Sequence, residues 1–222
     1  AHVDFRAGAT DAWAAAKGRE QVRRIFVLAP VWDCYIDGCG LPERRCAWYG
    51  DVALDLVVLE RLRTSRAFSE LTVEQDMRER AIEALLPLIK DLMPEGQEFT
   101  LVPVLVGGML AEKAEVYAKL LAPYVADPAN LFVVAGNVDE LGTGLAGDPV
   151  SGTRARDEEA PKMDGLMPVV DGGVRRGLLQ QVGGIDTHRQ GSLGPSFDAL
   201  ELFLAVLAQA PKKLELGLSR YW

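Results

Sequence analysis

The sequence predicts an α/β protein, a single domain with a central, mainly parallel sheet flanked by helices. Two short apolar runs, FTLVPVLV at 99–106 and LFVVA at 131–135, are typical of strands covered on both faces. Between them, apolar residues recur at helical spacing, at Val116, Tyr117, Leu120 and Leu121. A helix between two such strands favours a right-handed βαβ unit. Polar residues at 137–140 follow the second strand, at the sheet edge where open α/β sheets bind ligands.

The elements before this unit are predicted from the same patterns. An alanine-rich helix begins near Thr10, and a buried strand covers 24–29. Gly50-Asp51 is expected to cap a helix, and a second helix is expected over about 74–92, kinked at its internal proline. Pro103 cannot donate to a β ladder, so we expect its strand to be an edge strand or locally bulged.

The last third of the chain has a different character. Glycine and charged residues without periodicity predict a long mobile loop over 142–162. Short helices are expected over 164–170 and 173–182, and a helix that is apolar on most sides over 197–207. Alternation over 213–219 predicts a final strand.

Composition limits the class of protein. The chain has 222 residues and we expect one domain over 1–222, with 49% hydrophobic and 25% charged residues. A formal net charge of −8, with the basic residues scattered among acidic ones, argues against nucleic-acid binding. No run approaches the roughly 20 apolar residues of a membrane helix, so we predict no membrane partner.

Cys34, Cys39 and Cys46 are an odd number of cysteines within one short loop. This pattern argues against a disulfide framework and predicts a reducing, cytoplasmic location. Their spacing does not match the paired ligands of a zinc site.

With these elements placed, the chain resembles the Memo family, whose bacterial members are called AmmeMemoRadiSam system protein B. The resemblance rests on RRIFVLAP, EFTLVPVLVG, YVADPANLFVVAG, AHVDFRAG and WYGDVALD, matched in order along the chain. The family is similar in fold to the class III non-haem iron extradiol dioxygenases. The resemblance therefore implies a parallel-centred sheet with a pocket at the strand ends.

The resemblance also implies a metal-type cluster of histidines with an aspartate and a cysteine, and this chain departs from it. His2 matches the first histidine of the family, whereas Trp32 and Asp33 stand where the family has a His-His pair. Asn137 and Glu140 stand at its Asp-x-x-His.

Two further positions complete the comparison with the family's cluster. Gly191 falls near the Cys-Gly of the family, and the family's Glu-His-Ser-Ile-Glu stands here as Glu79-Arg80-Ala81-Ile82-Glu83. The candidate pocket residues share a place at the strand ends or on the neighbouring helix. They are His2, Asp4, Asp33, Arg80, Glu83, Asn137, Glu140 and Gly191.

These replacements change the chemistry that the pocket can support. Imidazole and thiolate suit iron, copper or zinc, whereas tryptophan cannot ligate and glycine has no side chain. We therefore expect no metal and no cofactor. If a metal were bound, its ligands would be His2, Asp33 and Glu140, and a rewired site would take iron or copper. The other histidine, His188, lies before Gly191 in the sequence.

Structural roles compete with functional ones at these positions. His2 could have no role, Asp33 could cap a loop, and Glu140 could solvate a strand end. If Asp33, Glu83 and Glu140 converge, their charges would raise one another's pKa and could create a general base. Arg80 among them would instead neutralise the cluster.

We therefore expect a degenerate Memo-family protein that acts as a non-catalytic binding or scaffold subunit. The alternative is an enzyme that uses the same pocket, either a metal-dependent, dioxygenase-like oxidoreductase or a metal-free acid–base catalyst. A protein partner or a homo-oligomer is predicted, with the terminal aromatics Tyr221-Trp222 near a contact because exposed aromatics are enriched at interfaces.

Overall fold

A computed structural model of the chain describes residues 19–135, 166–168, 195–210 and 215–217. The strands are β1 (Arg24–Pro30), β2 (Cys39–Leu41), β3 (Trp48–Tyr49), β4 (Val52–Ala53), β5 (Ser69–Glu70), β6 (Thr100–Val106), β7 (Asn130–Val134), β8 (Leu166–Pro168) and β9 (Glu215–Gly217). The helices are α1 (Leu56–Thr64), α2 (Val73–Arg78), α3 (Ala81–Leu92), α4 (Ala111–Val125) and α5 (Pro195–Gln209).

The central sheet has five strands in the order β5-β2-β6-β1-β7. β1 lies between β6 and β7 and is parallel to both, with Arg24 opposite Thr100 and Asn130. β2 runs antiparallel to β6, and β5 runs parallel to β2. The sheet is therefore mainly parallel, as predicted, and α4 connects β6 to β7 across β1.

Burial explains why β1 and β6 occupy the centre of the sheet. Both strands are apolar after their first residue, and every following residue in each is buried. Phe26 of β1 stacks on Phe132 of β7 with ring centroids 4.5 Å apart, and it also contacts Tyr124 of α4 at 5.0 Å. Phe203 of α5 lies 5.9 Å from Phe132, so one aromatic group joins the sheet to two helices.

The prediction that the strand with Pro103 is an edge strand or bulged is wrong. β6 pairs in unbroken register with β1, and Pro103 lies opposite Val27. The N–H of Thr100 donates to the carbonyl oxygen of Arg23, just before β1, at 3.0 Å. Because the N–H groups of successive strand residues point to opposite sides, the nitrogen of residue 103 points away from β1. On that side β2 pairs only with the last two residues of β6, and the proline therefore removes no ladder hydrogen bond.

Two predicted helix boundaries are also wrong. Gly50-Asp51 forms the turn of the β3–β4 hairpin, because Gly50 adopts a φ of 56° that favours glycine. The N-cap of α1 is Asp55, whose side chain accepts a 2.9 Å hydrogen bond from the N–H of Val58. The helix expected over 74–92 is two helices, because Glu79 is extended (φ −79°, ψ 102°) and ends α2.

The remaining predictions divide between those that the structure tests and those that it does not. The strand over 24–29, the central βαβ unit and the apolar helix over 197–207 are confirmed. Residues 166–168 lie in a strand paired with β9, so the helix expected over 164–170 is wrong there, whereas the final strand is confirmed at 215–217. The helix near Thr10, the loop over 142–162 and the helix over 173–182 lie outside the described residues.

None of the described helices is both long enough and apolar enough to span a membrane.

Candidate functional site at the strand ends

The carboxyl ends of β1 and β6 lie side by side, and the loops that follow them pack on each other. The N–H of Val31, just after β1, donates to the carbonyl oxygen of Val106 at 3.0 Å. Further on, Gly38 and Gly107–Gly108 exchange backbone hydrogen bonds of 2.8 and 2.9 Å. This edge of the sheet is the one at which open α/β sheets bind ligands.

Gly107 allows this close approach. A β-carbon at Gly107 would lie 2.0 Å from the carbonyl oxygen of Ile36, whereas one at Gly108 would meet nothing within 4 Å. A backbone oxygen cannot swing away as a flexible side chain can. The loop after β1 can therefore rest on the end of β6 only because residue 107 has no side chain.

Glu79 holds the first residues of the loop after β1. Its side chain is buried, with 2% of the residue exposed, and one carboxylate oxygen, Oε2, accepts hydrogen bonds from two successive backbone amides. The donors are the N–H groups of Trp32 at 2.8 Å and of Asp33 at 3.1 Å. A buried carboxylate needs such partners to offset the lost hydration. The break between α2 and α3 places Glu79 there.

The side chains that this loop presents are those of Trp32, Asp33 and Cys34. Trp32 is 44% exposed, Asp33 is exposed and Cys34 is half-buried. Burial raises the pKa of the Cys34 thiol, and the nearby charges of Glu79 and Asp33 raise it further. The thiolate form, which is the metal ligand and the nucleophile, is therefore disfavoured.

Arg80 and Glu83 pair with each other at the start of α3. The Arg80 Nη2 lies 3.1 Å from the Glu83 Oε2, and both side chains are exposed. Within the described residues, no hydrogen bond or ion pair joins Glu83 to Asp33. Arg80 therefore pairs with Glu83, while Glu140, the third carboxylate of the predicted cluster, lies outside the described residues.

A second group of polar side chains fixes α2, which precedes Glu79. None of the residues of α2 is buried, and Asp76 on this helix accepts hydrogen bonds from the Tyr49 hydroxyl and, at 3.3 Å, from the N–H of Glu43. Burial and the bond to Asp76 together raise the pKa of Tyr49 far above its ordinary range, so the hydroxyl stays a donor. This group attaches α2 to the hairpin.

Few candidate metal ligands of the strand-end site lie within the described residues. Among those residues, no group of three His, Cys, Asp or Glu side chains could hold a metal ion. Trp32 offers no ligand atom, and the Oε2 of Glu79 is engaged by two amides. The predicted candidates outside the described residues are His2, Asp4, Asn137, Glu140 and Gly191.

Sequence reasoning overlooked the role of Glu79. The resemblance had marked this glutamate as retained, but Arg80 and Glu83 were selected as candidates in its place. The match to the family segment gives only a weak signal, since Glu79 and Glu83 both stand at its glutamates. The contact of Glu79 with residues 47 and 46 positions away in the chain could not be read from local spacing.

Comparisons with known proteins agree with this architecture. The family model described as Memo-like protein matches residues 3–165. The Protein memo-1 homolog of Caenorhabditis elegans is 32% identical over 132 residues, which cover 58% of this chain and 37% of that protein. Protein MEMO1 of Danio rerio is 35% identical over 117 residues, with coverage of 51% and 39%. Protein MEMO1 of Homo sapiens is 34% identical over 119 residues, with coverage of 52% and 40%. The matches thus span 37–40% of the length of these relatives, and Gly191 lies beyond the residues matched by the family model.

Proposed function

The chain belongs to the Memo-like protein family, and on that premise we propose that it is a non-catalytic binding or scaffold subunit with a dismantled metal site. The observation that carries the proposal is the hydrogen bonding of Glu79. Its Oε2 is the acceptor for the amides of Trp32 and Asp33, so this carboxylate has a structural role. At the strand end the chain then presents an indole and a carboxylate in place of two imidazoles.

The side chains along this edge support a role in binding. Trp32 is 44% exposed and Tyr35 is 81% exposed, and both lie in the loop after β1. Tyr35 lies near Lys113 of α4, which pairs with Asp37 at 2.5 Å, so charged groups border the aromatic ones. Trp and Tyr surrounded by polar residues are the side chains that contribute most to protein–protein affinity. We expect a protein partner or a second copy of the chain, and a cytoplasmic location.

Metal analysis tests the loss of the metal site. Protein purified without chelators is expected to contain far less than one equivalent of iron, copper or zinc per chain. The variant Trp32→His/Asp33→His restores the imidazole pair of the family and is expected to raise metal uptake. Leu56→His/Val57→His places the same pair on exposed positions of α1 and serves as the control, because it should not bring uptake to the level of the first variant.

The opposite result would favour the enzyme alternative. One equivalent of a transition metal in the unmodified protein, lost on His2→Ala, would mean that the pocket still assembles a metal site. The proposal of a non-catalytic subunit would then be abandoned for a metal-dependent oxidoreductase. Light scattering at micromolar concentration, with Tyr221→Ala/Trp222→Ala compared, tests whether the chain associates with itself.

A further inference from the structure

A cleft of about 680 Å³ lies at the opposite end of the sheet from the strand-end site. Its walls are the β3–β4 hairpin, the end of α3 with the loop that follows, and the starts of β1 and β6. Thr100, which begins β6, and Arg23, which precedes β1, mark the amino ends of these parallel strands. Trp32 follows the carboxyl end of β1, so the cleft is a separate site.

Trp48 provides the aromatic wall of this cleft. It is 59% exposed, although Tyr49, the next residue of the same short strand, is buried and donates to Asp76. Successive side chains of a strand point to opposite faces, so the burial of Tyr49 holds the Trp48 indole outward. Met93 and Phe99 add apolar surface to the lining. An exposed indole in a fixed orientation can accept a cation on its face.

The charges in the cleft leave a negative excess. Arg23 donates to two backbone carbonyl oxygens at 2.7 and 3.0 Å, and Lys90 is paired with Asp51. The Lys90–Asp51 pair is therefore neutral, whereas Arg23 keeps its positive charge, because carbonyl oxygens orient the guanidinium without neutralising it. Glu95 and Glu98 also line the cleft and are exposed, and within the described part of the chain neither side chain forms a hydrogen bond or an ion pair.

We propose that this cleft binds a basic segment of a protein partner, with an arginine or lysine side chain over the Trp48 indole and Glu95 and Glu98 balancing its charge. The charged side chains that line the cleft are two cations and three carboxylates, so an anionic ligand would meet an excess of negative charge and an apolar one would leave that excess uncompensated. The net charge of −8 also attracts a basic partner at longer range. Arginine is the preferred occupant, because its planar guanidinium stacks on aromatic faces and pairs with carboxylates at the same time.

A short peptide with two arginines separated by glycine, capped at both ends, is the probe. Its control is the same peptide with citrulline, which keeps the shape and removes the charge. Binding is followed by the indole N–H signals in nuclear magnetic resonance, and Trp48→Phe assigns the signal of residue 48. The arginine peptide is expected to shift that signal, and the citrulline peptide is expected to leave it in place.

Two matched variants separate the cleft from the net charge of the chain. Glu95→Gln/Glu98→Gln should weaken arginine-peptide binding about fivefold, since it removes two exposed carboxylates beside the cation. Glu112→Gln/Glu115→Gln removes the same charge from exposed positions of α4 and should change binding by less than about twofold. Equal losses in the two variants, or equal binding of the citrulline peptide, would overturn the proposal.

Discussion

Replacing Glu79 tests the claim that one buried carboxylate holds the strand-end loop. In Glu79→Ala the amides of Trp32 and Asp33 lose a common acceptor that binds them at 2.8 and 3.1 Å. Hydrogen bonds to a charged group contribute about 1.5–3 kcal/mol each. Both bonds are only partly buried, so water can replace part of what is lost and the lower figure applies. We therefore expect the free energy of unfolding to fall by about 3 kcal/mol.

Two further variants make the measurement specific. Glu79→Gln keeps one acceptor oxygen for the two amides but loses the charge and replaces the other oxygen with an amide nitrogen, so we expect a loss of about 1 kcal/mol. Glu83→Gln removes a glutamate four residues further on, whose ion pair with Arg80 is exposed, and should cost less than about 0.5 kcal/mol. The loss of stability should therefore be largest in Glu79→Ala, intermediate in Glu79→Gln and smallest in Glu83→Gln.

Guanidinium unfolding followed by circular dichroism measures the free energy of unfolding of each variant. Hydrogen exchange shows which backbone amides lose protection. The amides of Trp32 and Asp33 should exchange much faster in Glu79→Ala, while those of the buried strand β1 change only with global stability. If Glu79→Ala lost no more stability than Glu83→Gln, and these two amides kept their protection, Glu79 would not be the acceptor that holds the loop.

Three other predictions use contacts elsewhere in the structure. The charge of Glu79 helps to raise the pKa of the Cys34 thiol, so Glu79→Gln should lower that pKa and speed alkylation of the thiol at pH 8. Mass spectrometry measures the rate, and an unchanged rate would contradict the effect of Glu79 on Cys34. Gly107→Ala places a β-carbon 2.0 Å from a backbone oxygen and should lower the free energy of unfolding by at least about 3 kcal/mol. Gly108→Ala, measured in the same thermal melts, should be nearly neutral, and similar losses of stability in the two variants would refute the close approach of the loop to residue 107. Asp55→Ala removes the N-cap of α1 and the 2.5 Å ion pair with Arg24, and it should lower the free energy of unfolding in guanidinium by about 2 kcal/mol. Asp55→Asn keeps the cap and should lose less stability, and equal losses in the two variants would show that the cap contributes nothing.

The sequence by itself determined the elements whose pattern is local. The continuous apolar runs of β1 and β6 indicate burial on both faces, and the structure confirms it. The same prediction is wrong for β7, which ends the order of the sheet and is half-buried along its whole length. The helical spacing of α4 indicates the crossover between β6 and β7. The mainly parallel sheet then follows, since a helical crossover between strands gives parallel pairing. The family model matches residues 3–165, a range that includes these segments.

Tertiary structure decided the features that depend on which residues meet. Pro103 can occupy a central strand because its nitrogen points to a side of β6 that has no partner strand at that position. The sequence alone does not show this, because it gives neither the length of β2 nor its register against β6. The break after α2 sets the direction of the side chains that follow it. It directs Glu79 inward to the loop after β1 and leaves the Arg80–Glu83 ion pair exposed. Periodicity reports whether a side chain is buried, but the partner of a buried polar group comes from a distant part of the chain.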